Sequence, residues 1–505
     1  MTAHTIIRNG RVLDLAARAA SPADILIAGD SIAEIGPPGL AAPEGAILID
    51  AADRLLITGL VNAHTHGHGA LAKGMGDIWT LELLLNAGPY MNGDRSLEDK
   101  QLSGLLGGLD MIRGGVTACY DLFFEFPLPS LDGLAAAARG YNEAGLRVVL
   151  APMVADRSFY EAVPGLIEAL PPALARAVER FRLAPAAETL AALRRLLAGW
   201  SGDADRARLA LAPTIPLHCS DAFLTGCRDL AREFGAGLHM HLAESRVQAV
   251  AGLKRYGKTL TAHIDALGLL GPSFVGAHSV WLDDDDIARL ADRGSTVAHN
   301  PGSNMRLGSG VAPARRMRRR GLAVGIGTDG SSCSDNQNMF EAMRLASFAS
   351  RLFGVDYEGW LRTEEVLAMA TEGSARALGW GERIGRLAPG FKADIVFLDL
   401  GHPNLLPLND PVNQLVHSES GGAVDSVMVG GRLVLDHGRF PGIDVAALRS
   451  RIEARLAELR ERTRGLKDLA QQLEPVIGRF CVGLARQPYH VERHIPEDGL
   501  SQSRA

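Results

Sequence analysis

Histidines and acids recur in this chain at spacings that could do chemistry. His64, His66 and His68 stand two residues apart in LITGLVNAHTHGHGAL. His239, His241 and Glu244 lie in GLHMHLAES, His278 in GAHSVWL, His299 in VAHNPGSN and Asp329 in GIGTDGSS. Each group closes a short apolar run. Residues i and i+2 of an extended strand share a face, so His64 and His66 point the same way, as do His239 and His241. A lone histidine at a strand end is usually a satisfied core or loop residue. Several histidines with an acid at one end of one structure are another matter. Imidazole nitrogen and carboxylate oxygen suit a zinc or ferrous ion, and a catalytic site leaves one position open for water.

Something must bring these scattered residues together. Eight apolar runs recur between residues 56 and 330: LITGLVNAH, GVTACYDL, LRVVLAP, ARLALAPTIP, AGLHMHLAE, SFVGAHSV, STVAHNP and AVGIGTDG. Segments with helical spacing separate them, such as DDDDIARLADRG and NMFEAMRLASFASRLFG. Eight β/α units close naturally into a (β/α)8 TIM-like barrel with its site at the carboxyl ends of the strands. Both ends of the chain read differently. Residues 1–55 and 384–445 carry short β-like segments with hairpin turns, and are expected to form one small composite β-sandwich. The barrel would occupy 56–383, and a helical C-terminal extension 446–505, amphipathic over 446–470. A lid over the site or a subunit interface is the expected role of that extension, and HVERHIPEDGLSQSRA at its end reads as frayed. Asp283 to Asp286 fit a helix N-terminus favoured by its dipole, and RRMRRRG fits a solvated helix face.

Composition narrows the partners. A formal net charge of −6 argues against nucleic acid as the main ligand. No basic and apolar leader opens the sequence, and no apolar run reaches the roughly 18 residues of a membrane span. The five cysteines, Cys119, Cys219, Cys227, Cys333 and Cys481, form no C-x-x-C pair. A disulfide scaffold and a thiolate zinc site are thereby disfavoured, and a reducing cytoplasmic setting is expected.

The ordered set VNAHTH, HMHLAES, GAHSVWL, VAHNPGSNMRLGSG and GIGTDGSSCSDNQNMFEAMR resembles the amidohydrolase superfamily, in its cytosine-deaminase-like and chlorohydrolase-like branch. The late LAPGFKADIVFLD and VDSVMVGGRLVLDHG resemble that branch's closing β domain, so the likeness runs over roughly residues 5–440. The resemblance implies that His64, His66, His241 and Asp329 bind metal. It implies that Glu244 is the general base and proton shuttle, and that His278 orients or protonates at the reacting centre. The fourth run, LALAPTIP, has no lysine where binuclear members carry one, so one divalent ion per chain is expected, Zn2+ first and Fe2+ second. Such an ion lowers the pKa of water from about 15.7 toward 7. Glu244 would then move the remaining proton to the leaving nitrogen, while His278 and Asp329 steady the reacting centre.

The expected activity is that of a hydrolase acting on non-peptide carbon–nitrogen bonds, an aminohydrolase releasing ammonia from a heterocyclic amine of purine, pyrimidine, pterin or triazine type. The same chemistry would also serve an amide, urea or guanidine bond, or displacement of ring chloride. A scaffold protein that had lost its chemistry would lack these six residues, and a structural zinc site would be closed by four ligands with no acid beside it. The resemblance further implies a small-molecule substrate and a homo-oligomer, dimer or larger. Trp79, Arg147, Thr214, His218, His299 and Asn304 are the expected substrate contacts. Thr214 stands where the branch often has histidine, and Glu82 falls earlier than the branch's ring-reading acid. His68 is outside the family pattern and His239 lies one step deeper than His241, so both are read as lining or structural.

Overall fold

The structure, a computed structural model, describes residues 3–495. The eight runs become β1 (Leu60–Thr65), β2 (Val116–Phe124), β3 (Arg147–Val154), β4 (Ala207–Leu209, continued by Ala212–Pro213), β5 (Leu238–Leu242), β6 (Phe274–His278), β7 (Thr296–His299) and β8 (Ala323–Ile326). Neighbours pair in parallel from β1 to β4 and from β5 to β8. Two seams close the ring. Leu211 N donates to Gly237 O and His239 N to Leu211 O, both at 2.9 Å, and Asp329 N donates to His64 O at 2.9 Å.

Alternation along the strands separates two cores. Leu238, Met240 and Leu242 of β5 face the outer helices, in the large cluster that also holds Leu60 and Cys119. The barrel interior is filled by small and medium side chains, among them Val61, Ala118, Tyr120, Val149, Ala212 and Val275. His239 and His241, of opposite parity to Met240, point into that interior.

The terminal segments form one eight-stranded sheet that curls on itself. Its main path runs Arg432–Leu435, Val424–Val429, Ile395–Asp399, Arg54–Thr58, His4–Asp14, Ala19–Ala28, Ser31–Gly36, and Ile47–Asp50 pairs with His4–Asp14. Ser31 bridges Lys392 and brings one edge back to the other half of the sheet. Ile7, Ile25, Ile27, Leu56, Ile395 and Phe397 pack together inside the curl. The run LITGLVNAH is therefore two strands, not one. Thr58 ends a strand of the terminal sheet and Leu60 begins the barrel. A Cβ on the intervening Gly59 would sit 2.1 Å from Thr117 Oγ1, so only glycine fits at the crossing.

The C-terminal extension is two helices, Val445–Arg462 and Arg464–Ala485, broken at Thr463. The second packs along the helix Leu81–Asn92, with Leu473, Ile477, Cys481 and Leu484 buried. The sequence reading of 490–505 as frayed does not hold at His490 and Arg493. His490 Nε2 meets Asp283 Oδ2 at 2.8 Å, and Arg493 donates to Val280 O at 3.0 Å and Leu282 O at 2.5 Å. Residues 496–505 lie outside the described residues. Asp283 caps the helix Asp284–Asp292 as expected, accepting from Asp286 N at 2.8 Å. The basic run is largely a solvated face, as expected, with Arg316, Arg319 and Arg320 exposed; Arg315 and Arg318 reach Glu365, and Arg316 reaches Asp284. Among the described residues no helix is long and apolar enough to cross a membrane.

Candidate active site at the carboxyl ends of the strands

A bulge at the end of β1 aims the first two histidines. Between Asn62 and Thr65 the strand gains a residue relative to Cys119 and Asp121 of β2. Bulges of this kind redirect side chains at sites. His66 Nδ1 lies 2.8 Å from Leu122 O, and His241 Nδ1 lies 2.8 Å from Thr214 O. A carbonyl can only accept, so both Nδ1 atoms carry hydrogen and both Nε2 atoms present lone pairs. Those two Nε2 atoms face one another at 3.1 Å. Asp329 Oδ1 lies 3.2 Å from His66 Nε2 and 3.3 Å from His64 Nε2. Among the described residues neither nitrogen of the fully buried His64 has a hydrogen-bond partner.

Acceptors packed this tightly repel unless a cation sits among them. Two nitrogens on one tetrahedral zinc stand about 3.4 Å apart, given bonds of about 2.0–2.1 Å. The donor set therefore fits a divalent ion. His64, His66 and Asp329 form one such group, His64, His241 and His278 a second, and Glu244, His278 and Asp329 a third.

The elements hold these side chains firmly. Asp329 takes a left-handed backbone, φ 62°. Thr65 Oγ1 and Gln337 Nε2 donate to its carbonyl at 3.0 and 2.8 Å. Ala243, His278 and Ser279 are also left-handed, at φ 46°, 65° and 52°. Non-glycine residues at such angles cost on the order of 1–3 kcal/mol each and gather at functional sites. Glu244 precedes Ser245, the N-cap of the helix Arg246–Tyr256, whose Oγ accepts from Gln248 N at 3.2 Å. Gln248 Oε1 in return accepts from Glu244 N at 3.0 Å. His278 Nδ1 lies 2.9 Å from Asn304 Oδ1. Its Nε2 faces Glu244 Oε2 at 3.6 Å and Asp329 Oδ2 at 3.9 Å.

Electrostatics divide the two acids. Burial, then Asp329 and Glu82, push the Glu244 carboxyl well above its ordinary range. Burial also works against ionised Asp329, yet the imidazoles of His64 and His66 close beside it hold it well below. Two carboxyls in one site driven apart in this way are the pattern of a proton-moving acid beside a fixed anion.

A cavity of about 530 Å³ opens above this cluster. His66, His241, Glu244, Asp329, Thr214, His218, Ser332 and Cys333 line its floor and sides. The rest of the wall is largely apolar, with Leu84, Leu85, Phe124, Phe159, Phe181 and Leu466 on it.

The expected substrate contacts divide. Thr214 and His218 line the cavity. Arg147 does not. It opens β3 at the barrel's far end, where Nε and Nη2 bind Asp394 at 3.0 and 3.1 Å and join barrel to terminal sheet. Trp79 is off the cavity as well, packed against Ala72, Ala87, Tyr90, Met91 and Ala470. His299 is buried beneath the site with Nδ1 unpartnered, and burial lowers its pKa to about 4. Asn304 acts on His278 instead of on the cavity. His239 lies deeper, its ring 4.9 Å from that of His64, and among the described residues both its nitrogens lack a hydrogen-bond partner.

Two residues that the sequence reading set outside the expected contacts stand at the site. Glu82 is buried, and Ser245 Oγ donates to its Oε1 at 2.7 Å, so this acid stands directly behind Glu244. His68 is on the cavity wall. The helical spacing Leu81, Glu82, Leu85 could have flagged Glu82, since an acid beside the apolar positions of a buried helix needs a partner.

The Amidohydrolase family pattern matches residues 55–434, and this chain belongs to that family. It is a hydrolase acting on carbon–nitrogen bonds other than peptides. A 5'-deoxyadenosine deaminase from Methanothermobacter thermautotrophicus is 34% identical over 441 residues, covering 86% of this chain and 94% of the relative. A 5-methylthioadenosine/S-adenosylhomocysteine deaminase from Syntrophobacter fumaroxidans is 33% identical over 456 residues, covering 89% and 97%. The crystal structure of an adenosine deaminase from Xanthomonas campestris with bound zinc matches with a TM-score of 0.79 at 27% identity, covering 92% of this chain and 99% of that one. An atrazine chlorohydrolase from Arthrobacter aurescens, complexed with zinc, matches at TM-score 0.78 and 24% identity over 90% and 100%, a likeness of fold alone.

Proposed function

We propose that this protein hydrolytically deaminates a heterocyclic amine, with adenine nucleosides the leading class. The observation that carries this reading is Glu244: a buried carboxyl, Oε2 unpartnered, facing His278 across the ligand cluster at the cavity floor. The relatives named for deamination of adenine-based compounds support the leading class.

His64, His66, His241 and Asp329 would hold one divalent ion, zinc first and ferrous iron second. When bound, that ion supplies the Lewis acidity that makes water nucleophilic near neutral pH. The chain's own residues do the rest. Glu244 accepts the proton of the attacking water as its oxygen bonds to the ring carbon. Glu244 then delivers that proton to the exocyclic nitrogen; the carbon–nitrogen bond breaks, ammonia departs, and the second proton of the water passes to the adjacent ring nitrogen, leaving a ring carbonyl. His278 Nε2 shares the proton with Glu244 and, carrying it, stabilises charge at the attacked centre. The apolar wall excludes bulk water and strengthens each of these interactions. A homo-oligomer in the cytoplasm completes the reading. The five buried, unpaired cysteines fit a reducing compartment.

The test is ammonia release by metal-quantified protein from amino-purines, amino-pyrimidines, aminopterins and amino-triazines, with adenosine and 5'-deoxyadenosine first. Release that disappears in Glu244→Gln establishes the activity. Silence across the panel with metal still bound moves the assignment to amide, urea, guanidine or ring-halide hydrolysis at the same residues.

A further inference from the structure

We propose that His68 selects the substrate, its Nε2–H donating a hydrogen bond to an acceptor nitrogen of the heterocyclic ring under attack. The inference rests on the deaminase reading above.

His68 sits in the short 3-10 turn Gly67–Ala72 that follows β1, and its ring lines the cavity. The turn is fixed before any ligand arrives. Gly67 N donates to Asp121 Oδ1 at 2.8 Å, and Gly69 N donates to His66 O at 2.9 Å. The ring is wedged beside Phe123 and Phe124, with centroids 5.8 and 6.2 Å away.

One hydrogen bond decides what the ring offers. Phe124 N donates to His68 Nδ1 at 3.1 Å. A backbone N–H can only donate, so Nδ1 is the acceptor and Nε2 carries the hydrogen of the neutral ring. Among the described residues Nε2 has no protein acceptor, and it is not one of the unpartnered atoms sealed from the cavity. The same bond keeps His68 out of the ligand cluster, whose members turn their free nitrogens or carboxylate oxygens inward.

Position sets the range. The His68 ring lies 5.3 Å from that of His66, a member of the ligand cluster. A donor there reaches the attacked ring itself, while the apolar wall beyond receives whatever substituent the ring carries. A site built around a donor rejects an analogue lacking the acceptor, because the donor is then left buried and unpaired.

The experiment takes the best substrate found in the ammonia panel and its single N-to-CH (deaza) analogues. Dissociation constants are measured in the Glu244→Gln background and kcat/KM in the otherwise native enzyme, with metal content recorded throughout. In the native sequence one ring nitrogen is expected to be worth about tenfold or more in affinity. His68→Phe should erase the preference at that one nitrogen and leave the others alone. His68→Gln, whose amide N–H stands near the imidazole Nε2–H, should restore it. The same preference in His68→Phe as in the native sequence, an equal change for every analogue, or failure of His68→Gln to rescue overturns the role of His68 while ammonia release stands. Absence of ammonia release from every ring overturns the deaminase reading, and this proposal with it.

Discussion

In the proposed reaction Glu244 changes protonation state in each turnover, and its surroundings fit that task. Burial, Asp329 and Glu82 all favour the protonated carboxyl, so its affinity for a proton is raised toward the operating range. Glu82 behind Ser245 adds a second negative group without touching the ligand cluster. Glu244→Gln keeps the shape and leaves His64, His66, His241 and Asp329 in place. We expect metal content by elemental analysis to match the native protein and kcat to fall by about 10²–10⁴. A near-native rate would remove Glu244 from the mechanism. The gathering of His64, His66, His241, Glu244, His278 and Asp329 was legible in the sequence, where strand-end placement and family pattern agreed. Arg147 was misread because the family likeness was followed over its place at the start of LRVVLAP, the end of the strand opposite the expected site. It opens β3 and serves the interface with the terminal sheet.

At the scale of elements, the turn after β1 is held by space as much as by bonds. A Cβ on Gly67 would stand 2.1 Å from Tyr141 Oη and 2.5 Å from Asp121 Oδ2, and Tyr141 Oη donates to that same Asp121 oxygen at 2.8 Å. A buried ring cannot yield as a flexible chain end would. Gly67→Ala should therefore destabilise the fold by about 1–3 kcal/mol, seen as a lowered denaturant midpoint with an unchanged slope. Tyr141→Phe in the same chain removes the closest atom and should recover part of the loss. No recovery would place the strain elsewhere. The barrel strands were legible because apolar runs of strand length alternated with helical periods. What escaped was set by contacts distant in sequence: the break at Gly59 depends on Thr117, and the donor on His68 depends on Phe124. No local pattern encodes either.

The whole molecule is tied together across its ends, and the C-terminal arm is part of the site. Leu466 lines the cavity, and Ala470 O accepts from Asn86 Nδ2 at 2.9 Å on the helix that carries Glu82. Four buried side chains of this arm, Leu473, Ile477, Cys481 and Leu484, join the main core. At about 1.5–3 kcal/mol for each large apolar group, their loss approaches the 5–15 kcal/mol stability of an ordinary domain. Ending the chain after Thr463 should therefore abolish cooperative unfolding by calorimetry. Ending it after Ala485 should keep the fold and lower kcat, because Arg493 no longer holds the carbonyls of Val280 and Leu282 just beyond His278. Identical behaviour of both truncations and the full chain would leave the arm without a role. Acid tests the molecule through the cavity wall. Burial, then the nearby Arg255, lowers the His218 pKa from 6.5 to about 3. In the unfolded chain this imidazole takes a proton as pH falls below about 6.5, whereas in the fold it stays neutral until about 3. The unfolded state then binds more protons, so stability is fully present above about pH 6.5 and declines as pH drops. By pH 5 the loss from this one group is about 2 kcal/mol. His218→Gln should flatten the fall in unfolding free energy between pH 7 and pH 5 by about that amount. A slope unchanged by the substitution would mean that His218 is already solvated in the native cavity.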